Sequence, residues 1–278
     1  MPADDEPRFR ASVAAAATLS PSLRRLRFTG PELAGFTSSG DPDERVLIDF
    51  EDAADDRRHN RSYTVRAWHP GARMLDVDFA VHAGGPAAEW ARTAVPGAAV
   101  RVSRPKGWYR PPVAARRLLV LADLSALPAA GRIVESVSAG VAVHVAAEVP
   151  DAADEQTWDS AADLSMTWLH GTGNGATPSA LPGALPDLVA AHRPDYVWAA
   201  GETGASRTVR GYLRRTLGWA PERYHVMGYW QADRERWLAR YAKVEAQMEE
   251  LTARELTSGR SLEEVRDAID DALDRAGL

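Results

Sequence analysis

The hydrophobic pattern of this chain changes once, after Pro111 and Pro112, and no other feature restricts the possible folds so strongly. Before that point, short apolar segments recur between turn signals, a spacing typical of a small antiparallel β-barrel. After it, continuous apolar runs such as residues 118–122 alternate with helical segments, as expected of parallel strands buried on both faces. The sequence therefore predicts an N-terminal barrel over residues 1–112 and a doubly wound α/β domain over residues 113–232.

Residues 233–278 form a third segment with a helical pattern. Apolar side chains recur at helical spacing through residues 233–256, and Gly259 lies in the break after this predicted helix. Ser261 and Glu264 match a capping box, which opens a second amphipathic helix. The apolar stripes must be buried against their own domain, against a second subunit or over the active site. Because the chain enters this helical C-terminal extension directly from the last strand of the sheet, we predict that the extension packs on the α/β domain. An oligomer formed through its helices is the alternative.

Composition excludes several classes of function. The 278 residues include no cysteine, which excludes disulfides, thiol catalysis and cysteine-bound iron–sulfur clusters. A net charge of -6 argues against a nucleic-acid partner, and the histidines show no spacing of metal ligands. No apolar run reaches the roughly 20 residues that a bilayer requires, and the first residues lack the pattern of a signal peptide. We therefore expect a cytoplasmic protein with no metal site and no membrane partner.

One predicted strand of the barrel carries an unusual set of side chains: Arg61, Ser62, Tyr63 and Thr64. A tyrosine can cover a planar ring, a threonine can hydrogen-bond a ring heteroatom, and an arginine can pair with a pyrophosphate. An ordinary edge strand with solvated arginines would carry the same residues. Spacing alone therefore leaves both interpretations open.

The next predicted strand leads through His82 and Gly85 into a helix that begins at Pro86, with Ala87 and Ala88 in its first turn. Glycine lets the backbone approach a ligand, and the exposed N–H groups at a helix start attract anions. A pyrophosphate could rest there, although most connections of this kind bind nothing.

Residues 61–64 resemble the Arg-X-Tyr-(Ser/Thr) flavin signature of the ferredoxin-reductase superfamily. With residues 78–82 and 85–91, the chain is similar over residues 8–231 to the siderophore-interacting protein family of FAD-dependent ferric-siderophore reductases. This resemblance implies FAD as the cofactor, NADH or NADPH as the hydride donor and a ferric siderophore as the substrate. The residues that it implies for FAD are Arg61, Ser62, Tyr63, Thr64, Phe79, Val81, His82, Gly85, Pro86, Ala87 and Ala88.

The resemblance continues in the α/β domain, where two strand ends and the last strand match the family. It implies that the nicotinamide or the flavin contacts Asp123, Ser125, Gly201, Glu202, Tyr229 and Trp230. Near the end of the barrel, Arg104 and Lys106 are candidates to attract an anionic chelate. No catalytic acid or base is assigned, because electron transfer to a chelated ferric ion requires none.

Three positions depart from the family pattern and support other hypotheses. Ala88 replaces serine, Ala122 replaces glycine and Leu124 replaces an acidic residue. These changes favour an FAD-binding biosynthetic enzyme on the same scaffold, with lost or altered nicotinamide use. A further hypothesis is a binding module in which the extension contacts a partner and flavin is absent or structural. An absorption spectrum tests for flavin, and an anaerobic titration with NADH or NADPH tests for nicotinamide use.

Overall fold

The N-terminal part of the chain is a closed six-stranded barrel, as predicted. The computed structural model describes residues 8–50, 60–81 and 86–278. The barrel strands are β1 (Arg8–Ser20), β2 (Leu23–Thr29), β3 (Arg45–Phe50), β4 (Asn60–His69), β5 (Met74–Ala80) and β6 (Ala99–Ser103). They close in the order β1-β2-β5-β4-β3-β6, all antiparallel. One helix, α1 (Pro86–Thr93), lies between β5 and β6.

Alternation along β4 sends neighbouring side chains to different environments. Val65 lies in the barrel core, whereas Thr64 is buried on the opposite side of the strand. The register with β5 shifts between Val65 and Ala67, which is the mark of a β-bulge. Beyond this shift, Arg66 reaches the second domain and pairs with Glu135 at 2.6 Å. The outer face of β4 therefore forms part of the domain junction.

The second part of the chain is a five-stranded parallel sheet covered by helices. Its strands are β7 (Arg117–Ala122), β8 (Ala142–Val149), β9 (Asp163–His170), β10 (Tyr196–Glu202) and β11 (Tyr224–Trp230). The covering helices are α2 (Leu127–Ser136), α3 (Leu181–His192) and α4 (Thr203–Gly211). The strand order β11-β10-β7-β8-β9 reverses direction at β7, so the gap between β7 and β10 is the topological switch point.

The apolar run of β7 serves both faces of this sheet. Leu118 and Val120 lie in the core formed with α2, whereas Leu119 and Leu121 lie in the core formed with α3 and α4. Burial on both faces explains why this strand shows no polar alternation. The predicted doubly wound architecture is confirmed.

A buried ion pair joins the two domains. Glu44, which is 0% exposed, accepts hydrogen bonds from the Ser38 hydroxyl and the Ser39 backbone, both at 2.6 Å. Arg132 of α2 donates to the same carboxylate at 3.1 Å and to the Val65 carbonyl at 2.6 Å. One guanidinium therefore binds two points of the barrel and fixes α2 against it.

The C-terminal extension has three helices: α5 (Arg234–Tyr241), α6 (Glu245–Leu256) and α7 (Leu262–Arg275). The prediction of one helix through residues 233–256 was wrong, because the backbone turns at residues 242–244. Without this turn, a straight helix would carry Trp237 and Tyr241 away from the small core around Met248 and Leu273, against which both rings pack. The predicted capping box of Ser261 and Glu264 is present at the start of α7.

Helix α7 docks on α4 and the turn after it through a row of ion pairs. Arginines project from one side and aspartates, spaced three or four residues apart, from the other. The pairs are Arg207 with Asp274, Arg210 with Asp270, Arg214 with Asp267 and Asp271, and Arg215 with Asp271. The extension thus packs on its own α/β domain. Across the described ranges, no helix combines the length and apolar character needed to cross a bilayer.

We predict that Arg132→Met lowers the free energy of unfolding by about 3 kcal/mol or more, because it leaves the buried Glu44 carboxylate without its cation. The measurement is urea unfolding of both proteins. Arg92→Met is the matched control, since Arg92 and Glu89 form a pair with 61% and 57% exposed side chains. Such an exposed pair contributes less than about 1 kcal/mol. Equal, small losses in both variants would show that the junction does not depend on Glu44 and Arg132.

Candidate active site

The predicted flavin strand contributes an aromatic cluster at the barrel end. The Tyr63 ring packs against Phe79 with centroids 4.3 Å apart and meets Phe50 edge-on at 6.3 Å. Trp90 of α1 joins the cluster at 4.6 Å from Phe50. Burial raises the pKa of the Tyr63 hydroxyl well above its usual value, with a smaller opposing effect from the charge of Arg61. Tyr63 is therefore a neutral ring that connects β4 to the start of α1.

The other predicted barrel residues surround this cluster in different ways. Ser62 is exposed on β4, whereas Phe79 is fully buried and can only support Tyr63 from behind. Val81 follows β5 and packs against the barrel core. Ala87 and Ala88 lie in the first turn of α1, which begins at Pro86. His82 and Gly85 lie outside the described residues.

Thr64 brings a polar group to the domain junction. Its side chain is buried, and its hydroxyl makes no hydrogen bond of normal geometry to a described residue, although it lies close enough to the Tyr229 hydroxyl to oppose the rise in the pKa of that group. Tyr229 of β11 lies beside it across the junction, and burial raises the pKa of the Tyr229 hydroxyl to about 12. A buried hydroxyl without a partner costs free energy unless a ligand satisfies it. The ring nitrogens and carbonyl oxygens of a flavin could do so, and this run of β4 therefore fits FAD.

Arg45 lies next to Thr64 and was not recognised in the sequence. The two residues are partners across β3 and β4. The Arg45 guanidinium lies over the Trp108 ring at 4.7 Å and over the Tyr229 ring at 4.6 Å. The sequence predicts that an arginine at the start of an amphipathic strand faces solvent. Only the register between β3 and β4 places Arg45 next to Thr64.

A cavity of about 540 Å³ opens at the carboxyl ends of β7, β8 and β10. This is the switch point at which open α/β sheets bind their ligands. Four of the predicted residues line it: Asp123, Gly201, Glu202 and Trp230. Ser125 lies behind Asp123, and Tyr229 belongs to the junction described above.

Asp123 organises one wall of this cavity. One carboxylate oxygen accepts hydrogen bonds from the Ser125 backbone at 2.9 Å and the Ser125 hydroxyl at 2.6 Å, and the other accepts from the Trp230 indole at 2.6 Å. Burial raises the pKa of Asp123 to about 6, against the opposing effect of these hydrogen bonds. A Cβ atom at Gly201 would lie 2.7 Å from the Asp123 carboxylate, so this position requires glycine.

A carboxylate lies close to the start of each helix that begins at the cavity, and the Glu202 carboxylate is the side-chain N-cap of α4. Asp123 precedes α2, Glu148 accepts from the Ala180 backbone at 3.1 Å before α3, and Glu202 accepts from the Ala205 backbone at 2.8 Å in α4. In the described part of the chain, no lysine, arginine or histidine lines the cavity. The helix starts that could attract a phosphate are therefore already occupied by negative charge.

A glycine-rich loop over residues 171–179 forms another wall and was also missed. Gly173 and Asn174 have positive φ angles of 63° and 57°. The Asn174 side chain accepts a hydrogen bond from the Leu124 backbone at 2.9 Å. The only sequence signal for this wall is a glycine-rich segment between a strand and the start of a helix. Many loops that bind no ligand have the same composition.

Two departures from the family pattern do not reach the cavity. Ala122 is the last residue of β7, and both its side chain and that of Leu124 pack in the core with α2.

Arg104 and Lys106 are exposed on the barrel, and the Lys106 backbone pairs with Arg45 in both directions at 2.8 and 2.9 Å. The two proposed substrate contacts thus lie at the edge of the junction.

We predict that Asp123 makes stability depend on pH between about 4 and 6. Because its folded-state pKa lies above the ordinary value near 3.9, its protonated form favours the folded chain. That contribution is complete below about pH 4 and is lost as the pH rises through about 6. In denaturant unfolding, Asp123→Asn should therefore gain up to about 3 kcal/mol relative to wild type between pH 4 and pH 7.

The exposed Asp163 supplies the control for this measurement, and Asp163→Asn should track the wild type across the same range. A constant difference between Asp123→Asn and wild type at all pH values would contradict the assignment.

Comparisons with known proteins agree with this geometry. A family model described as a siderophore-interacting FAD-binding domain matches residues 44–109, and one described as siderophore-interacting protein matches residues 115–233. A siderophore utilization protein from T. fusca is 31% identical, with a TM-score of 0.70 over 82% of this chain and 94% of its own.

Two curated relatives are more distant. The ferric vibriobactin reductase ViuB of Vibrio cholerae is 29% identical over 62% of this chain and 64% of its own length. The mycobactin import ATP-binding/permease protein IrtA of Mycobacterium tuberculosis is 27% identical over 81% of this chain. The chain spans only 26% of the length of IrtA. Taken together, the matched domains and the shared fold show that the chain belongs to the siderophore-interacting protein family.

Proposed function

We propose that this protein is an FAD-dependent oxidoreductase that reduces ferric siderophores with electrons from NADH or NADPH and releases ferrous iron. The observation that carries this proposal is the buried hydroxyl of Thr64, which has the Tyr229 hydroxyl beside it but no hydrogen bond of normal geometry in the described structure, and which lies within the Arg-X-Tyr-Thr run at the domain junction. The family's siderophore-interacting FAD-binding domain covers this run. The name of ViuB, a ferric vibriobactin reductase, supports the substrate class.

Each part of the barrel end has a role in holding the cofactor. Arg61 would pair with the pyrophosphate, and the N–H groups at the start of α1 would support it, since Ala88 offers no hydroxyl. Tyr63 would cover the ring system, and Thr64 would hydrogen-bond its heteroatoms. FAD held there would supply the conversion of a two-electron hydride into single electrons, one for each of two ferric ions.

The nicotinamide donor is assigned to the cavity at the switch point because that edge faces the junction across Tyr229 and Trp230. Asp123, Gly201 and Glu202 would surround it there, and Ser125 would hold the Asp123 carboxylate from behind. The substrate would approach from the side of Arg104 and Lys106, whose exposed charges attract an anionic chelate. Ferrous iron binds hard oxygen ligands more weakly than ferric iron does, so reduction favours release.

The alternative of lost or altered nicotinamide use has one specific observation in its favour. Asp123, Glu148 and Glu202 place carboxylates at the helix starts of the cavity, where a dinucleotide commonly places its pyrophosphate. Such an enzyme would keep the FAD site and would receive its electrons from a donor other than NADH or NADPH. An anaerobic titration of the FAD-loaded protein with NADH and with NADPH distinguishes the two. Bleaching of the flavin by either cofactor supports the reductase, and no bleaching by both favours the alternative.

We predict that Arg61→Ala weakens FAD binding about 10-fold or more, because it removes a charge-assisted contact worth about 1.5–3 kcal/mol. Fluorescence titration of the apo protein with FAD measures the change. Arg73→Ala is the matched control, since Arg73 is exposed in the turn between β4 and β5. Equal FAD affinity in both variants would remove Arg61 from the site.

A further inference from the structure

Arg45 is a partly buried cation at the domain junction. It is the first residue of β3 and lies opposite Thr64 on the adjacent strand β4. Two backbone hydrogen bonds join it to Lys106. Its side chain extends toward the α/β domain, where the guanidinium contacts the Met227 sulfur and the ring of Tyr229. Arg45 therefore reaches from the proposed flavin strand to the last strand of the other domain.

The guanidinium has aromatic neighbours in place of an acidic partner. It lies over Trp108 and Tyr229, and its Nε atom is buried with no hydrogen-bond partner in the described structure. Trp108 is itself held in place, because its ring stacks on His225 with an interplanar angle of 6° and its backbone donates to Asp43 at 2.8 Å. The rings keep the cation in position, and its Nε–H donor has no acceptor among the described residues.

The two carboxylates next to Arg45 in the sequence are both used elsewhere. Asp43 accepts hydrogen bonds from the backbones of Trp108 and Tyr109 and from the Trp198 indole. Glu44 is bound by Arg132 and the serine cluster described above. No carboxylate lies within ion-pair distance of Arg45 among the residues that the structure describes. Asp43 and Arg45 both act on the pKa of Tyr229, so the Asp43 charge is near but makes no direct contact with the guanidinium. Cation–π contacts offset only part of the cost of a cation without a direct ion pair.

We propose that Arg45 neutralises the negative charge of reduced FAD and thereby sets the preference of this protein for reduced over oxidised flavin. The inference rests on the proposed function, since it places the flavin beside Thr64. A reduced flavin carries its negative charge on the pyrimidine ring, whose nitrogen and oxygen atoms accept hydrogen bonds. Oxidised flavin is neutral there and gains much less from a cation. Arg45 is thus a positioning and tuning residue, separate from the exposed Arg104 and Lys106.

The test compares Arg45→Met, which keeps an unbranched side chain between the rings and removes the charge, with Arg45→Lys, which keeps the charge. The dissociation constants of oxidised and of dithionite-reduced FAD are measured anaerobically for each protein, together with the thermal stability of the apo form. Arg45→Met should bind oxidised FAD within a few-fold of wild type and reduced FAD at least 10-fold more weakly. That change lowers the midpoint potential by about 30 mV for a two-electron couple. Its apo form should be about as stable as wild type, because the partly buried Arg45 guanidinium forms no direct ion pair in the described structure.

Arg45→Lys should keep most of the preference for reduced FAD, and Arg73→Met should keep all of it. Equal weakening of both redox forms in Arg45→Met, or an unchanged ratio in all variants, would overturn the inference. If wild type binds FAD and Arg61→Ala weakens it while the ratio stays constant, the proposed flavin site stands and only the role of Arg45 is wrong. If Arg61→Ala and Arg45→Met both leave FAD affinity unchanged, the proposed site itself fails.

Discussion

The buried carboxylate of Glu44 holds the two domains in register, and the candidate site depends on that register. Arg132 binds it from α2 and reaches the Val65 carbonyl in the same contact. The residues on either side serve the same junction, because Asp43 anchors Trp108 and Trp198 while Arg45 lies over Trp108 and Tyr229. Three consecutive residues thus build a junction in which, among the described residues, the Thr64 hydroxyl and the Nε–H of Arg45 have no hydrogen-bond partner of normal geometry.

The charges of the two neighbouring sites differ in sign. At the junction, Arg45 provides a positive charge without an acidic partner in the described chain. At the switch point, the carboxylates of Asp123, Glu148 and Glu202 line the cavity and accept backbone hydrogen bonds near the starts of its helices. A site that gains negative charge on reduction benefits from the first arrangement. The second disfavours a pyrophosphate at the helix starts, so a dinucleotide there would have to place its phosphates toward other donors.

The architecture could be predicted because hydrophobic periodicity is local information. Alternation in β4 predicted a barrel strand, and the unbroken apolar run of β7 predicted a buried parallel strand. The family motifs at Asp123 and Gly201 then identified the ends of β7 and β10 as parts of the site. Arg45 could not be found in this way, since its importance arises from its register with Thr64 and from the approach of β11. The turn at residues 242–244 was missed for a similar reason: helical spacing continues through it, and the packing around Met248 decides the direction of the chain.

The central claim is that flavin satisfies the Thr64 hydroxyl at the domain junction, and Thr64→Val tests it most directly. Valine has the shape of threonine without the hydroxyl, so the apo protein should be as stable as wild type or up to about 1–3 kcal/mol more stable. Its FAD affinity should fall by about 0.5–1.5 kcal/mol, the contribution of one hydrogen bond. The measurement is calorimetric titration of both apo proteins with FAD. Equal affinities with equal binding enthalpies would contradict the account, because the flavin would then lie away from Thr64.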